Sequence, residues 1–356
     1  MDGRTLGIRN FRCMGWTVVF YTILSISNVF AEEMIITSSG STFVYPLMSK
    51  WGQVYEKLTN TRLNYNAIGS GAGVKEIIAA KVDFAASDKP LDEAGLKRDG
   101  LTQFPIAIGG IVPVVNLPGV SQGQIKLSGE MLGDIFGGKI SRWDDPAIVA
   151  LNPKIKIPAL PITIVYRKDS SGTTFIFSNY LSKVNTEWEK KIGNNTVVNW
   201  PTGTGVGSSQ EVALYVAQTP GSIGYVEYIY SLQLNYISLK NKTGNFSAPS
   251  LVSFAAAAEQ STWSKKLDFG EMLTNAEGKD SWPIVGASFV IMHAKVDDEK
   301  KTRAMLNFFD WCYDSGNDIA RQLNYVPIPE KVTKLIRQKW KGEIKTKNNA
   351  VIWKNS

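Results

Sequence analysis

Arg167-Lys168-Asp169-Ser170-Ser171-Gly172-Thr173-Thr174-Phe175 gathers a cation, a carboxylate and a row of small donors at a point where the chain changes character. The run Ile162-Thr163-Ile164-Val165-Tyr166 ahead of it is β-branched and apolar, the pattern of a buried strand, and Phe175, Ile176 and Tyr180 after it fit a helix. A strand-to-helix turn exposes the free N–H groups of a helix N-terminus, which carry roughly half a positive charge and suit an oxyanion. Arg167 adds a planar fork that can make two parallel hydrogen bonds. Taken alone, the segment is either an anion grip or a surface Arg–Asp pair beside an ordinary N-cap.

Two further turns share its composition. Met34-Ile35-Ile36-Thr37 predicts a strand, followed by Ser38-Ser39-Gly40-Ser41-Thr42 and then Phe43, Leu47, Trp51, Val54 and Leu58 at helical spacing. Arg62 to Ile68 alternates as a strand, Gly69-Ser70-Gly71-Ala72-Gly73 turns, and Val74 to Ala80 is helical. A third strand, Val82 to Ala86, runs into Ser87-Asp88-Lys89-Pro90, where Pro90 stops the strand and can open the next helix. This βαβα order predicts α/β architecture with ligands gathered at the carboxyl ends of strands.

The turns at Ser39 to Thr42, Gly69 to Gly73 and Asp169 to Thr173 could bring three helix N-termini to one anion. A tetrahedral oxyanion offers about a dozen hydrogen-bond positions, which backbone N–H groups, hydroxyls and one Arg can fill. Asp88 would then discriminate. A carboxylate beside an anion is repulsive unless the anion donates a proton, as hydrogen phosphate can and sulfate at neutral pH cannot. The alternative for Asp88 is an N-cap before Pro90.

Two long apolar segments, Ile106 to Asn116 and Pro283 to Met292, lie far apart in sequence and carry glycines. As crossovers they would make one lobe from both ends of the chain (32–110 and 286–356) and a second from the middle (111–285), with a cleft between. As neighbours in a single sheet they would be plain core strands. Met305, Phe308, Phe309 and Cys312 share a helix face, and Pro329 begins a further helix with Val332, Leu335, Ile336 and Trp340 inward.

With 356 residues, 44% hydrophobic and 20% charged, the chain can bury a sizeable core. Its first residues have a different logic. Arg4, Arg9 and Arg12 precede the apolar stretch Trp16 to Leu24, and Val29-Phe30-Ala31 supplies small residues at a cleavage junction, so residues 1–31 form an expected signal peptide cut near Ala31. Ser25, Ser27 and Asn28 interrupt the apolar stretch before the roughly 20 residues that a membrane anchor needs. The exported chain keeps Cys312 alone, which excludes an internal disulfide or a cysteine metal cluster. Removing three arginines and Asp2 takes the charge from +7 to +5, 36 basic against 31 acidic residues. Basic residues are spread out, with a modest concentration from Lys331 to Lys347 expected to be a solvated helix face, and nothing suggests nucleic acid. Sequons at Asn194, Asn241 and Asn245 matter only where glycosylation occurs.

Catalytic patterns fall short. Gly133-Asp134-Ile135-Phe136-Gly137-Gly138-Lys139-Ile140 approaches a P-loop, but Ile140 stands where Ser or Thr must meet magnesium. Gly69 to Gly73 and Gly203-Thr204-Gly205-Val206-Gly207 lack the third glycine of a dinucleotide loop. No Gly-x-Ser-x-Gly elbow occurs, and the sole histidine, His293, follows an apolar strand as a structural histidine would. No metal site, cofactor site or catalytic set is expected. Binding without chemistry remains, with a secreted phosphoesterase-like hydrolase using the same oxyanion pocket as the alternative.

Gly40-Ser41-Thr42-Phe43, Gly69-Ser70-Gly71, Ala86-Ser87-Asp88, Ser171-Gly172-Thr173 and Gly224-Tyr225-Val226-Glu227-Tyr228, in this order and spacing, resemble the bacterial periplasmic phosphate-binding protein of the phosphate-specific ABC transporter. The likeness spans nearly the whole exported chain, including Leu132 to Phe136, Trp143-Asp144, Trp188 and Phe308 to Trp311. It implies a two-lobed periplasmic-binding-protein fold of type II, a monomer that closes over inorganic phosphate and hands it to the permease and ATPase subunits of an importer. Carried over by position, it implies backbone N–H groups from Thr42 and Phe43, hydroxyls from Thr42 and Ser70, and Asp88 as acceptor of the phosphate proton. Arg167 would donate its guanidinium with Asp169 holding it, and Ser171, Gly172 and Thr173 would close the ring of donors. Ser41 stands where an alanine is usual, so its hydroxyl could join the ligand shell or cap the helix, and Ser170 replaces a glycine.

Overall fold

The computed structural model describes residues 1–3, 33–263 and 268–354, so the expected signal peptide, from Arg4 through Ala31, lies outside the described residues. Met1–Glu32 and Glu33–Ser356 are separate compact units, and the second holds the fold. Its first half runs β1 (Met34–Gly40), α1 (Tyr45–Thr59), β2 (Thr61–Asn66), α2 (Ser70–Ile78), β3 (Phe84–Ser87), α3 (Glu93–Asp99), β4 (Leu101–Val115), β5 (Lys126–Leu127), α4 (Gly129–Phe136), α5 (Pro146–Leu151), β6 (Thr163–Arg167), α6 (Gly172–Val184) and α7 (Thr186–Lys191). The second half continues with β7 (Thr204–Val206), α8 (Ser209–Gln218), β8 (Ser222–Glu227), α9 (Tyr228–Ser231), β9 (Asn235–Tyr236), β10 (Ser238–Lys240), β11 (Phe246–Ser247), α10 (Leu251–Glu259), β12 (Val285–His293), β13 (Lys295–Val296), α11 (Glu299–Tyr313), α12 (Asn317–Gln322), α13 (Glu330–Glu343) and β14 (Lys345–Thr346).

The main sheet follows the path β2-β1-β3-β12-β4-β8-β6-β7. Parallel pairs lie at both ends, β2-β1-β3 on one side and β8-β6-β7 on the other, while β12 and β4 run antiparallel in the middle. Buried along nearly their whole length, β4 and β12 are mostly apolar, as interior strands are, with Thr102, Gln103 and Ser288 as buried polar exceptions. β4 is shared. Leu101 to Gly110 pairs with β12, and Ile111 to Val115 pairs with β8. The two long apolar segments of the sequence are thus direct neighbours, and β4 alone carries the sheet from one parallel group to the other.

Several expectations shift in detail. α1 buries Leu47, Met48, Trp51 and Tyr55, and Leu58, expected on that face, is 64% exposed. Pro90 does not open a helix: α3 begins at Glu93, where the Asp92 carboxylate accepts from the Gly95 N–H at 2.7 Å and so provides the cap. The P-loop-like glycines finish α4 instead of starting a helix, which places them at the helix end that repels anions. His293 Nε2 lies 2.9 Å from the Ile77 carbonyl, and Cys312 is buried against the core.

Gly40 shows how tightly β1 and β3 are joined. Its φ is +135°, and an added Cβ would lie 2.1 Å from the Ala86 carbonyl oxygen. Gly40→Ala is expected to destabilise the protein by about 3 kcal/mol, seen as a lower urea midpoint at unchanged slope. A loss below about 1 kcal/mol would show that the two strands part there at little cost.

Candidate functional site

Four strands deliver side chains to one place through their carboxyl ends, the position where α/β sheets collect ligands. β1 leads to Ser41, β3 to Asp88, β6 ends on Arg167 and β8 on Glu227. The connecting turns touch. Gly69 N–H donates to the Gly40 carbonyl at 2.9 Å, and Gly71 N–H donates to the Ser170 carbonyl at 3.2 Å. Gly172 opens α6 against the same point, where a Cβ would meet Asp88 Oδ2 at 2.2 Å and Ser70 Oγ at 2.3 Å. Only a residue without a side chain lets the α6 N-terminus come so near a carboxylate.

Asp88 is 1% exposed and is solvated by hydroxyls instead of water. Ser41 Oγ donates across both carboxylate oxygens at 2.6 and 2.7 Å, Ser70 Oγ donates to Oδ2 at 3.2 Å, and Ser288 Oγ donates to Oδ1. Burial raises the Asp88 pKa from 3.8 to about 6; the Ser288, Ser41 and Ser70 hydrogen bonds pull it down, and the Glu227 charge pushes it up. With Asp92 capping α3, the N-cap reading of Asp88 has no place. Ser41 also accepts from the Phe43 N–H at 3.0 Å, so its hydroxyl links the β1–α1 turn to Asp88 without capping α1.

Arg167 is fully buried and held from three sides. Nε and one terminal nitrogen donate to the two Asp169 oxygens at 2.6 and 2.5 Å, a bidentate pair. The same nitrogen donates to Thr42 Oγ1 at 3.2 Å, and the other donates to Ser209 Oγ at 2.8 Å. Burial works against the guanidinium charge, yet the Asp169 hydrogen bonds and charge outweigh it and hold the pKa above its ordinary value. Thr42, as acceptor from Arg167, keeps its own hydroxyl proton to give elsewhere. Ser171 caps α6 by accepting from the Thr174 N–H at 3.2 Å, and likewise retains its proton.

The cluster thus contains Ser41, Thr42, Phe43, Ser70, Asp88, Arg167, Ser171, Gly172 and Thr173, with Asp169 behind Arg167. Four of the donors are engaged internally in this structure: the Phe43 N–H by Ser41, the Ser41 and Ser70 hydroxyls by Asp88, and the Thr173 hydroxyl by Glu227 Oε1 at 2.5 Å. Three residues escaped sequence reasoning. Ser288 lies in a strand that reads only as apolar core; Ser209 follows the glycine-rich run Gly203 to Gly207, where its place opening a helix was a usable signal; Glu227 sits inside the Tyr-Val-Glu-Tyr motif. Among the described residues no group of His, Cys, Asp and Glu could hold a metal ion, and no helix is long and apolar enough to cross a membrane.

A family model described as a PBP superfamily domain matches residues 27–315. A phosphate-binding protein PstS from Pasteurella multocida is 47% identical over 324 residues, covering 90% of this chain and 94% of that protein. The chain belongs to the PstS phosphate-binding protein family. A PstS from Haemophilus influenzae is also 47% identical, with 91% and 98% covered, and one from Methanocaldococcus jannaschii is 33% identical, with 85% of each covered. A phosphate-binding protein from Stenotrophomonas maltophilia shares the fold at a TM-score of 0.67 and 17% identity, covering 86% of this chain and 94% of that one. The mixed α/β sheet is therefore the periplasmic-binding-protein fold of type II.

In this PstS relative, Asp88 gives the unliganded protein a pH dependence of definite sign. Its folded-state pKa of about 6 lies above the 3.8 of an ordinary aspartate, so its contribution to stability is complete below about pH 4 and is lost as pH rises through about 6. The loss is on the order of 3 kcal/mol. Asp88→Asn is expected to abolish it, as checked by urea denaturation across that range without phosphate. An equally steep decline in the variant would assign the titration to another group.

Proposed function

We propose that this protein binds inorganic phosphate as hydrogen phosphate in the periplasm and delivers it to the permease and ATPase subunits of an ABC importer. The observation that carries this reading is the pairing of a buried carboxylate, Asp88, with a buried guanidinium, Arg167, at one cluster of helix N-termini. Arg167 and the α6 N-terminus attract any oxyanion, and Asp88 rewards one that brings a proton. Thr42, Ser70, Ser171 and Gly172 supply further hydroxyl and N–H donors, with Ser41 setting the Asp88 carboxylate. Membership of the PstS family supports the same ligand and argues against the phosphoesterase alternative.

The two parallel strand groups serve as lobes, 32–110 with 286–356 and 111–285, that close over the anion as a monomer. β4 passing from one group to the other supports this division. Residues 1–31 serve as the export signal, removed near Ala31.

Titration calorimetry on residues 32–356 tests the reading. Phosphate is expected to bind tightly with sulfate at least about a thousandfold weaker, a discrimination that an unmatched buried polar group can supply. Asp88→Asn is expected to narrow that gap by about tenfold or more, because an amide donates to sulfate where a carboxylate repels it. Turnover of a phosphate ester without tight phosphate binding would replace the receptor with the hydrolase.

A further inference from the structure

Lys89 is a cation at the rim of the anion cluster that none of the roles above uses. It follows Asp88 directly, and the Ser87 hydroxyl pins its backbone, accepting from the Lys89 N–H at 3.2 Å and donating to the Lys89 carbonyl at 2.7 Å. The half-buried side chain leaves its own segment and reaches residues of 111–285. Nζ donates to Asn195 Oδ1 at 3.1 Å and lies 5.1 Å from the centroid of the Phe175 ring. A cation within about 6 Å of an aromatic centroid is attracted to the ring.

The acceptor is held ready by its own side of the cleft. Asn195 Oδ1 also accepts from the Thr196 N–H at 2.9 Å, and the Asn195 N–H donates to Ser178 Oγ in α6 at 3.3 Å. Thr196 is tied to the turn before α6: its carbonyl accepts from the Ser171 N–H at 2.9 Å, and its hydroxyl accepts from Ser170 Oγ at 3.0 Å. Asn195 and Thr196 are therefore fixed to the α6 N-terminus, the end that carries Ser171, Gly172 and Thr173, and Phe175 belongs to the same helix. Lys89 is fixed to Asp88. The Lys89–Asn195 bond thus joins the two halves of the anion cluster at its solvent edge, and it exists only while those halves are together.

Such a contact acts on one rate more than the other. An interaction present in the closed state and absent from the open one mainly slows dissociation. A lysine that served to attract anions would instead speed capture, in a manner that salt screens.

We propose that Lys89 is a positioning residue for phosphate retention: its ammonium, seated on Asn195 Oδ1 and the Phe175 ring, latches the closed cleft and slows release of the bound anion. This deepens the phosphate-binding reading and rests on it, together with the division into two lobes.

Lys89→Met tests the assignment, since it keeps an unbranched stem and removes the charge and its donors. The probe is inorganic phosphate. Release is read by chasing radiolabelled phosphate with an unlabelled excess, affinity by calorimetry, and the capture rate is their ratio. Both are measured at about 1 M salt, where screening acts within about 3 Å and long-range attraction is suppressed. Release is expected to quicken about tenfold in the variant, with capture within about twofold of the parent. A release rate within about twofold of the parent overturns the proposal, and so does a loss confined to capture. Asn195→Ala is expected to quicken release about threefold or more, and Lys89→Met to have a smaller effect in that background than in the parent. Equal effects in the two backgrounds show that Lys89 does not act through Asn195 and overturn the latch. A parent protein that binds no phosphate would instead remove the underlying functional reading, an outcome visible before any variant is made.

Discussion

Keeping one carboxylate buried yet able to ionise is the constraint on which the rest of this structure depends. A desolvated carboxylate costs several kcal/mol unless hydrogen bonds replace its water. Asp88 meets that cost with hydroxyls from Ser41, Ser70 and Ser288 in place of a cation, which leaves it able to take a proton from a bound anion. A lysine or arginine in their place would hold Asp88 charged and make it a poor proton acceptor. The three serines come from the β1–α1 turn, the first residue of α2 and the interior of β12. Their meeting fixes the sheet: β12 must lie beside β3, in a register where Phe289 faces Ser87, with a bulge between Ser288 and Phe289. Such a bulge re-aims a side chain, and here it separates the partner of Ser288 from that of its neighbour.

Arg167 meets the opposite requirement. A buried cation must stay charged and stay aimed, and Asp169 does both with two parallel hydrogen bonds while Ser209 and Thr42 fix the remaining edges of the fork. Tyr225 supports the same strand end, its hydroxyl accepting from the Arg167 N–H at 3.1 Å and lying 2.7 Å from Thr174 Oγ1. Tyr225 in turn stacks on Phe177, with ring centroids 4.3 Å apart, so the polar cluster is set directly on an aromatic core that cannot shift without losing contact. In the proposed phosphate reading, one carboxylate tuned by neutral donors and one guanidinium locked by a partner divide selectivity from attraction between two residues.

Local sequence carried the parts that depend on neighbours in the chain. The strand-to-helix turns at Gly40, Gly69 and Gly172 were legible because small residues and glycines between two apolar periodicities have few other uses. The Arg167–Asp169 pair was legible because two residues' spacing suffices for it. Leu58 misled, since its spacing from Trp51 and Val54 fits a helical face that the helix in fact rotates toward Tyr55. Pro90 misled for a related reason: a proline is compatible with a helix start, but the Asp92 carboxylate two residues on binds the N–H group that decides it.

The sequence by itself determined the α/β order, the glycine- and hydroxyl-rich turns and the two residues, Asp88 and Arg167, on which the proposed phosphate reading rests, because each depends on residue type or short-range spacing. Only the tertiary structure decided what surrounds them. Ser288 stands 200 positions from Asp88, Ser209 stands 42 from Arg167 and Glu227 stands 54 from Thr173. Nothing in the composition of their segments marks Ser288 or Glu227 as such a partner, since a serine in an apolar strand and a glutamate at a strand end are ordinary until the sheet path brings them to a site. Hydrogen-bond direction followed from the same geometry. A threonine in a sequence can give or accept, and Thr173 became committed only when a buried carboxylate was placed 2.5 Å from its oxygen.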